Sequence, residues 1–320
     1  MSTTEATGIA VFVLPEFNAF DLSATLQPLE EVGRGTAIER VTLLSSTGGT
    51  VASADDVLRV PTEQVANCTP PMHLILVGGL SSRLKELGQI AEWIRSVHGH
   101  GGQIYAVSSA VFWIAALELL GGARAAVHWS LIPEFKRRYP HVPCSARTVD
   151  GCSNVLTSVG GLGTLDLMLT VIARKQGHHA AKLVADRLAL GDRFTRTASQ
   201  WKIIQRHVRK RVPPLSPVID LVNSTGGSLS RSDMCRASGL GERQLERLCK
   251  RHLGVTPHTF IRKTQLDRAR ELICNSTMPI TWIAAEVGFS SLSQFSKRYK
   301  DEFGERPNSS RAFAGQLETP

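Results

Sequence analysis

"AVSSAVFWIAALELLGG", residues 106–122, holds an apolar strand, an abrupt small-residue turn and an amphipathic helix that stops on a glycine pair. A continuous apolar run that passes at once into a helix is the pattern of a strand buried on both faces of a parallel sheet. The turn reads as a nucleophile elbow, which places one side chain, Ser108, at the tip of the sheet beside the amides that open the next helix. The same alternation extends to both sides: "GIAVFVL", "ERVTLLSS", "MHLILVGG", "ARAAVHW" and "SNVLTSVGG" read as strands, with "LSATLQPLEEVGR", "IAEWIRSVHGHGG" and "LGTLDLMLTVIARKQG" as helices between them. The fold class expected for region 8–200 is therefore α/β, one open parallel sheet covered on both faces.

Past "RKRVPPLSP" (209–217) the strands vanish. Pro213 and Pro214 cannot continue a helix, so 206–216 is expected to be a linker between an N-terminal domain at 8–205 and an all-α C-terminal domain at 217–313. Charge follows the same division. Of 37 Lys+Arg and 28 Asp+Glu, residues 1–205 carry 18 and 17, whereas residues 206–320 carry 19 and 11, a net of +8. A basic domain beside a nearly neutral one points to a polyanion partner, most often nucleic acid.

Hydrophobic content of 42% with 20% charged residues is ordinary for a globular chain. The longest apolar runs fall far short of the roughly 20 residues that cross a bilayer, and the N-terminus lacks the pattern of a signal peptide. A cytoplasmic protein without a membrane span is expected. The six cysteines form no CxxC pair, and "HGHGG" and "GHHA" have no ligand partners at metal spacing, so neither a disulfide framework nor a metal site is expected.

Two C-terminal stretches carry one plan. In 280–304, Ile283, Ala284 and Val287 form an apolar face, Gly288 permits a turn, and Ser290 or Ser291 can cap a second helix whose Phe295 and Tyr299 point inward. Ser291, Ser293, Gln294 and Lys297 are then left outside. In 231–254 the turn falls at Gly239, with Glu242, Arg243, Gln244 and Arg247 in the corresponding outer positions. This is the composition of a helix-turn-helix, whose second helix enters the major groove. Arg and Gln read guanine and adenine by paired hydrogen bonds, while Lys more often meets phosphate. A plain helical bundle is the bland alternative, but it leaves the basic charge unexplained.

On "IAAEVGFSSLSQFSKRYKDEFGERP" and the long joining helix "TPHTFIRKTQLDRARELI", residues 216–313 resemble an AraC/XylS-type DNA-binding domain. "RPNSSR", where that family carries a Pro followed by an aromatic and Arg, is expected to loosen the last turn. Residues 8 to 190 resemble the PfpI-like branch of the class I glutamine-amidotransferase-like fold, on "LPEFNAFDLSATLQPLEEVG", "LILVGGL", "AVSSAVFWIAALELLGGARAAVHW" and "TSVGGLGTLDLMLTVIARKQG". Together the halves resemble the GlxA-type transcriptional regulators, and the resemblance implies a flavodoxin-like N-terminal sheet.

In catalytic members of that branch the elbow holds a Cys followed shortly by Gly, with a His further on. Here Ser108, Ala110 and His128 stand in those places. A thiol at a helix N-terminus ionises readily, whereas a serine needs an aligned base. The site is therefore expected to bind without catalysing, with Asp21, Gly79, Ser108, Ser109, His128 and Trp129 around a small amino-acid-like or quaternary-amine effector. For Trp113 the core is the stronger expectation.

The resemblance thus implies a ligand-responsive transcriptional regulator, an activator rather than a repressor. It would need no cofactor and would be homodimeric through its N-terminal domain. Its partners would be double-stranded DNA, the effector and RNA polymerase. Two alternatives stay open: an amidase or hydrolase using Ser108 and His128, and a constitutive DNA-binding regulator with a degenerate sensor.

Overall fold

The computed structural model describes residues 8–33, 41–79, 87–145, 147–190, 201–225, 229–303 and 306–315. The chain divides into two compact units, 1–198 and 199–320. The strands of the first are β1 (Ile9–Val13), β2 (Val41–Ser45), β3 (Gly49–Ala52), β4 (Arg59–Gln64), β5 (His73–Val77), β6 (Gln103–Val107), β7 (Ala125–Ala126), β8 (Cys144–Ser145), β9 (Val149–Gly151) and β10 (Val155–Ser158). Eight of them form one sheet in the order β3-β4-β2-β1-β5-β6-β10-β9, while β7 and β8 pair separately.

The interior of the sheet is parallel, as the apolar runs require. Both edges differ from the expectation, because β3 and β9 pair antiparallel with β4 and β10. These edge elements are short and partly exposed, so they carry no apolar run from which a pairing could be read.

The helices of this unit are α1 (Ala19–Gly33), α2 (Leu87–Gly99), α3 (Val111–Ala116), α4 (Ile132–Arg138), α5 (Leu162–Gln176) and α6 (His178–Arg187). Alternation along the strands sends side chains to two cores. Ala10 and Phe12 of β1 join Ile90, Ile94 and Trp113 on one face; Val11 and Val13 join Leu22, Leu29, Leu167 and Met168 on the other. Trp113 is fully buried, with its ring centroid 5.8 Å from that of Phe12, and is a core residue.

The second unit is all-α: α7 (Trp201–Arg211), α8 (Ser216–Ser224), α9 (Arg231–Ser238), α10 (Glu242–Leu248), α11 (Pro257–Asn275), α12 (Ile280–Glu286), α13 (Leu292–Phe303) and α14 (Pro307–Gly315). A π-helical turn, Cys249–Leu253, continues α10. Gly239, Gly254 and Gly288 all take positive φ, at 68°, 72° and 84°, where turns are expected.

The linker expected at 206–216 is instead mostly helical. Trp201, Ile204, Val208 and Val212 form a buried stripe at helical spacing, and Trp201 Nε1 and Gln205 Nε2 both donate to Thr264 Oγ1 of α11. That apolar stripe, hidden among basic residues, ties α7 into the second unit. Pro213 and Pro214 do end the helix, in a short 3-10 turn before α8. Nor is the last turn loosened. "RPNSSR" contributes to α14, where Tyr299 Oη donates to the buried Ser310 Oγ at 3.0 Å and Arg311 donates to the carbonyl of Met278.

Phe295 is fully enclosed between Phe289 and Tyr299, at centroid distances of 5.2 and 5.6 Å. Phe295→Ala is expected to destabilise the second unit by about 3–5 kcal/mol, read as a fall in the urea midpoint of its helical signal.

Candidate functional site

At the end of β6 the chain enters a 3-10 turn, Ser108–Ala110, and then α3. Ser108 has φ 58°, a left-handed conformation that costs a residue with a Cβ roughly 1–2 kcal/mol. The elbow is thus a strained turn held by its surroundings. Ser108 is half-buried, whereas Ser109 is 1% exposed and its Oγ has no hydrogen-bond partner among the described residues.

Backbone closes on the elbow from two sides. A methyl group on Gly78 would stand 2.6 Å from Ala110 N and 2.7 Å from Ser109 Oγ; one on Gly160, at φ 82°, would stand 3.1 Å from both Ser108 Oγ and Asp21 Oδ2. Gly79 has a different role. It bridges to Phe17, and any Cβ there would collide with the carbonyl of Glu16. The 14–18 turn is thereby seated against the end of β5, where Asn18 N–H donates to Gly78 O at 3.3 Å.

Asp21, in the first turn of α1, is 2% exposed. Its Oδ1 accepts from Gly161 N–H at 2.6 Å and from Thr164 Oγ1 at 2.7 Å, both at the start of α5. Burial pushes its carboxyl pKa above the ordinary 3.8, outweighing those two hydrogen bonds. Asp21, Ser108 and Ser109 are therefore gathered at one place. Gly160, Gly161 and Thr164 complete it. In the sequence "GGLGTLD" carries the pattern of a helix start, which gives no local sign that these residues meet Asp21.

His128 and Trp129 form a pair of their own, with ring centroids 5.5 Å apart. His128 Nδ1 lies 2.7 Å from Ser130 Oγ and accepts from Ser130 N–H at 3.3 Å, and burial pushes its pKa down. No hydrogen bond joins His128 to Ser108 among the described residues, so the serine hydroxyl has no imidazole aligned on it. The elbow offers two hydroxyls and a buried carboxyl, groups suited to holding a polar ligand. Among the described residues, no group of three or more His, Cys, Asp or Glu is placed to hold a metal, and no helix is long and apolar enough to cross a membrane.

In the second unit two hairpins follow one plan. Ser230 and Asp233 form a capping box on α9, the chain turns at Gly239, and α10 buries Leu245 while leaving Glu242, Arg243, Gln244 and Arg247 exposed. Glu242 is ion-paired with Arg231 at 3.3 Å. In the other hairpin Ile283, Ala284 and Val287 pack with Phe289, Phe295 and Tyr299. Ser291 Oγ accepts from Gln294 N–H at 3.4 Å, and Ser291, Ser293, Gln294 and Lys297 are exposed. Both outer faces expected from the sequence are outer faces in the structure.

The sequence model of the DJ-1/PfpI family matches residues 7–174, and that of a helix-turn-helix domain matches residues 234–312. The HTH-type transcriptional regulator CdhR of Pseudomonas aeruginosa is 26% identical over 302 residues, 94% of this chain and 90% of that protein. The HTH-type transcriptional regulator GlxA of Rhizobium meliloti is 28% identical over 314 residues, 96% of both. A crystal structure of an AraC family transcriptional regulator from Pseudomonas putida matches with a TM-score of 0.53 at 18% identity, covering 57% of this chain and 99% of that one, which shows a shared fold.

The Asp21 pKa has a consequence for stability. Its folded value lies above 3.8, so the folded chain holds this proton more tightly than the unfolded one, and stability falls as pH rises from 3.8 through the raised value. Asp21→Asn is expected to remove that fall, visible as a shallower pH dependence of the urea midpoint as pH rises above 3.8.

Proposed function

The chain belongs to the DJ-1/PfpI family, and from that premise we propose that it is a DNA-binding transcriptional regulator whose N-terminal unit binds a small effector without transforming it. The observation that carries the DNA-binding half is the pair of hairpins whose second helices leave Arg243, Gln244, Arg247, Gln294 and Lys297 in solvent within a strongly basic unit. An α-helix fits the major groove. There Arg meets guanine, Gln meets adenine, and Glu242 can accept from cytosine once it parts from Arg231. The relatives that span nearly the whole chain are named as HTH-type transcriptional regulators, which supports the same reading.

On this reading the effector binds at the elbow. Amides at the start of α3 suit a carboxylate, and the buried Asp21 carboxyl suits an amine, so an amino-acid-like or quaternary-amine ligand is the class proposed. The effector would act by favouring one arrangement of the DNA-binding unit over another. Homodimerisation through the first unit, activation through RNA polymerase and a cytoplasmic setting complete the reading. A thermal-shift screen of the whole chain tests the sensor. At 100 times its dissociation constant an effector adds about 2.7 kcal/mol of stability, and that gain is expected to vanish in Asp21→Asn.

Ser108's strained elbow favours one second reading, a hydrolase. It would require His128 to leave Ser130 and align on Ser108, and Ser108→Ala would then abolish turnover while DNA binding persisted.

For the DNA contacts, Arg243→Ala and Gln294→Ala are each expected to lose about 1–3 kcal/mol of discrimination between the preferred and scrambled duplexes. Lys297→Ala should weaken binding to every duplex and lower the salt slope by about 1. Mobility-shift titrations at several salt concentrations, against a duplex selected from random sequence, measure both. Three variants behaving alike would overturn the assignment of base readers.

A further inference from the structure

Away from the elbow, a cleft of about 340 Å³ opens between α7, α8 and α11, within the second unit. Gln205 and Arg206 reach it from α7, Asn223 from α8, and Asp267 and Glu271 from α11. Arg209 and Arg268 also line it, but each already has a carboxylate, Asp220 at 2.9 Å and Glu286 at 3.9 Å.

Two neighbouring residues give the cleft its chemistry. Gln205 is 4% exposed, and its Nε2 is fixed on Thr264 Oγ1, which also receives Trp201 Nε1. With the amide held in this way, Gln205 Oε1 receives no hydrogen bond among the described residues. The oxygen opens on the cleft, where it can accept from a ligand N–H. Beside it, the exposed Arg206 makes no ion pair with the described residues, and its guanidinium is a fork suited to a carboxylate. Asp267 and Glu271, one turn apart on α11, add negative charge that disfavours a bare polyanion and favours an ammonium group.

We propose that this cleft binds a small zwitterion with a carboxylate beside an amino group, an amino acid being the simplest member of the class. The carboxylate meets Arg206, and the amino group donates to Gln205 Oε1 within reach of the acidic pair. Such a ligand ties α7 to α8 and α11 and so stiffens the scaffold that carries α10. The site is separate from the elbow and does not depend on it.

Calorimetric titration of the full-length protein with each of the twenty standard amino acids tests the proposal. At least one is expected to bind in a one-to-one ratio, to weaken at least tenfold in Arg206→Ala, and to bind Asp21→Asn as it binds the wild type. Arg206→Lys, which keeps the charge but loses the fork, should fall between. Because Arg206 is exposed, the ligand-free unfolding midpoint of Arg206→Ala should match wild type, separating lost contact from lost fold. The proposal is overturned if no amino acid binds at millimolar concentration, if Arg206→Ala binds undiminished, or if binding is lost in Asp21→Asn instead, which would assign it to the elbow.

Discussion

The elbow of the first unit is assembled around one buried carboxyl group. Asp21 lies at one end of α1, and its two hydrogen bonds reach residues 140 and 143 positions further along the chain, at the opening of α5. The contact fixes the start of α1 against the turn that follows β10 and places Gly160 over Ser108. Only after these pieces are locked can Ser108 be kept at φ 58°, because a strained residue persists only where its neighbours overdetermine it. Folding buries the carboxyl at some cost, and the hydrogen bonds offset only part of it, as the raised pKa records.

The second unit is held differently. Its order comes from aromatic packing around Phe295 and Tyr299, from capping residues such as Ser230 and Thr256, and from glycines that let short turns reverse the chain. The exposed residues of α10 and α13 contribute little to that core, so they are free to serve recognition. Apolar and polar positions on one helix thus divide, the inner set holding the fold and the outer set left to solvent, where the proposed DNA contacts lie.

Much of this was legible in the sequence because burial leaves a periodic trace. The runs "GIAVFVL", "HLILVGG" and "QIYAV" could only be strands covered on both faces, and the apolar spacing around Gly239 and Gly288 could only be helices meeting at turns. The edge strands β3 and β9 were not legible, since short, partly exposed strands have no pattern to show. Reading 206–216 as a linker failed because basic residues masked the stripe of Trp201, Ile204, Val208 and Val212. At the elbow, Ser108 and Asp21 were visible as chemistry. The glycines and Thr164 that bring them together act through long-range contacts, and no local spacing encodes those.

The two exposed helical faces are not copies of one another. One presents Glu242, Arg243, Gln244 and Arg247, with its acid held by Arg231; the other presents Ser293, Gln294 and Lys297 and carries no such pair among the described residues. Two identical reading surfaces would leave a protein indifferent to which way round it sat on a double helix. Two unlike surfaces in one polypeptide would remove that indifference, so on the proposed reading a single chain would carry the polarity that a symmetric reader has to obtain from elsewhere.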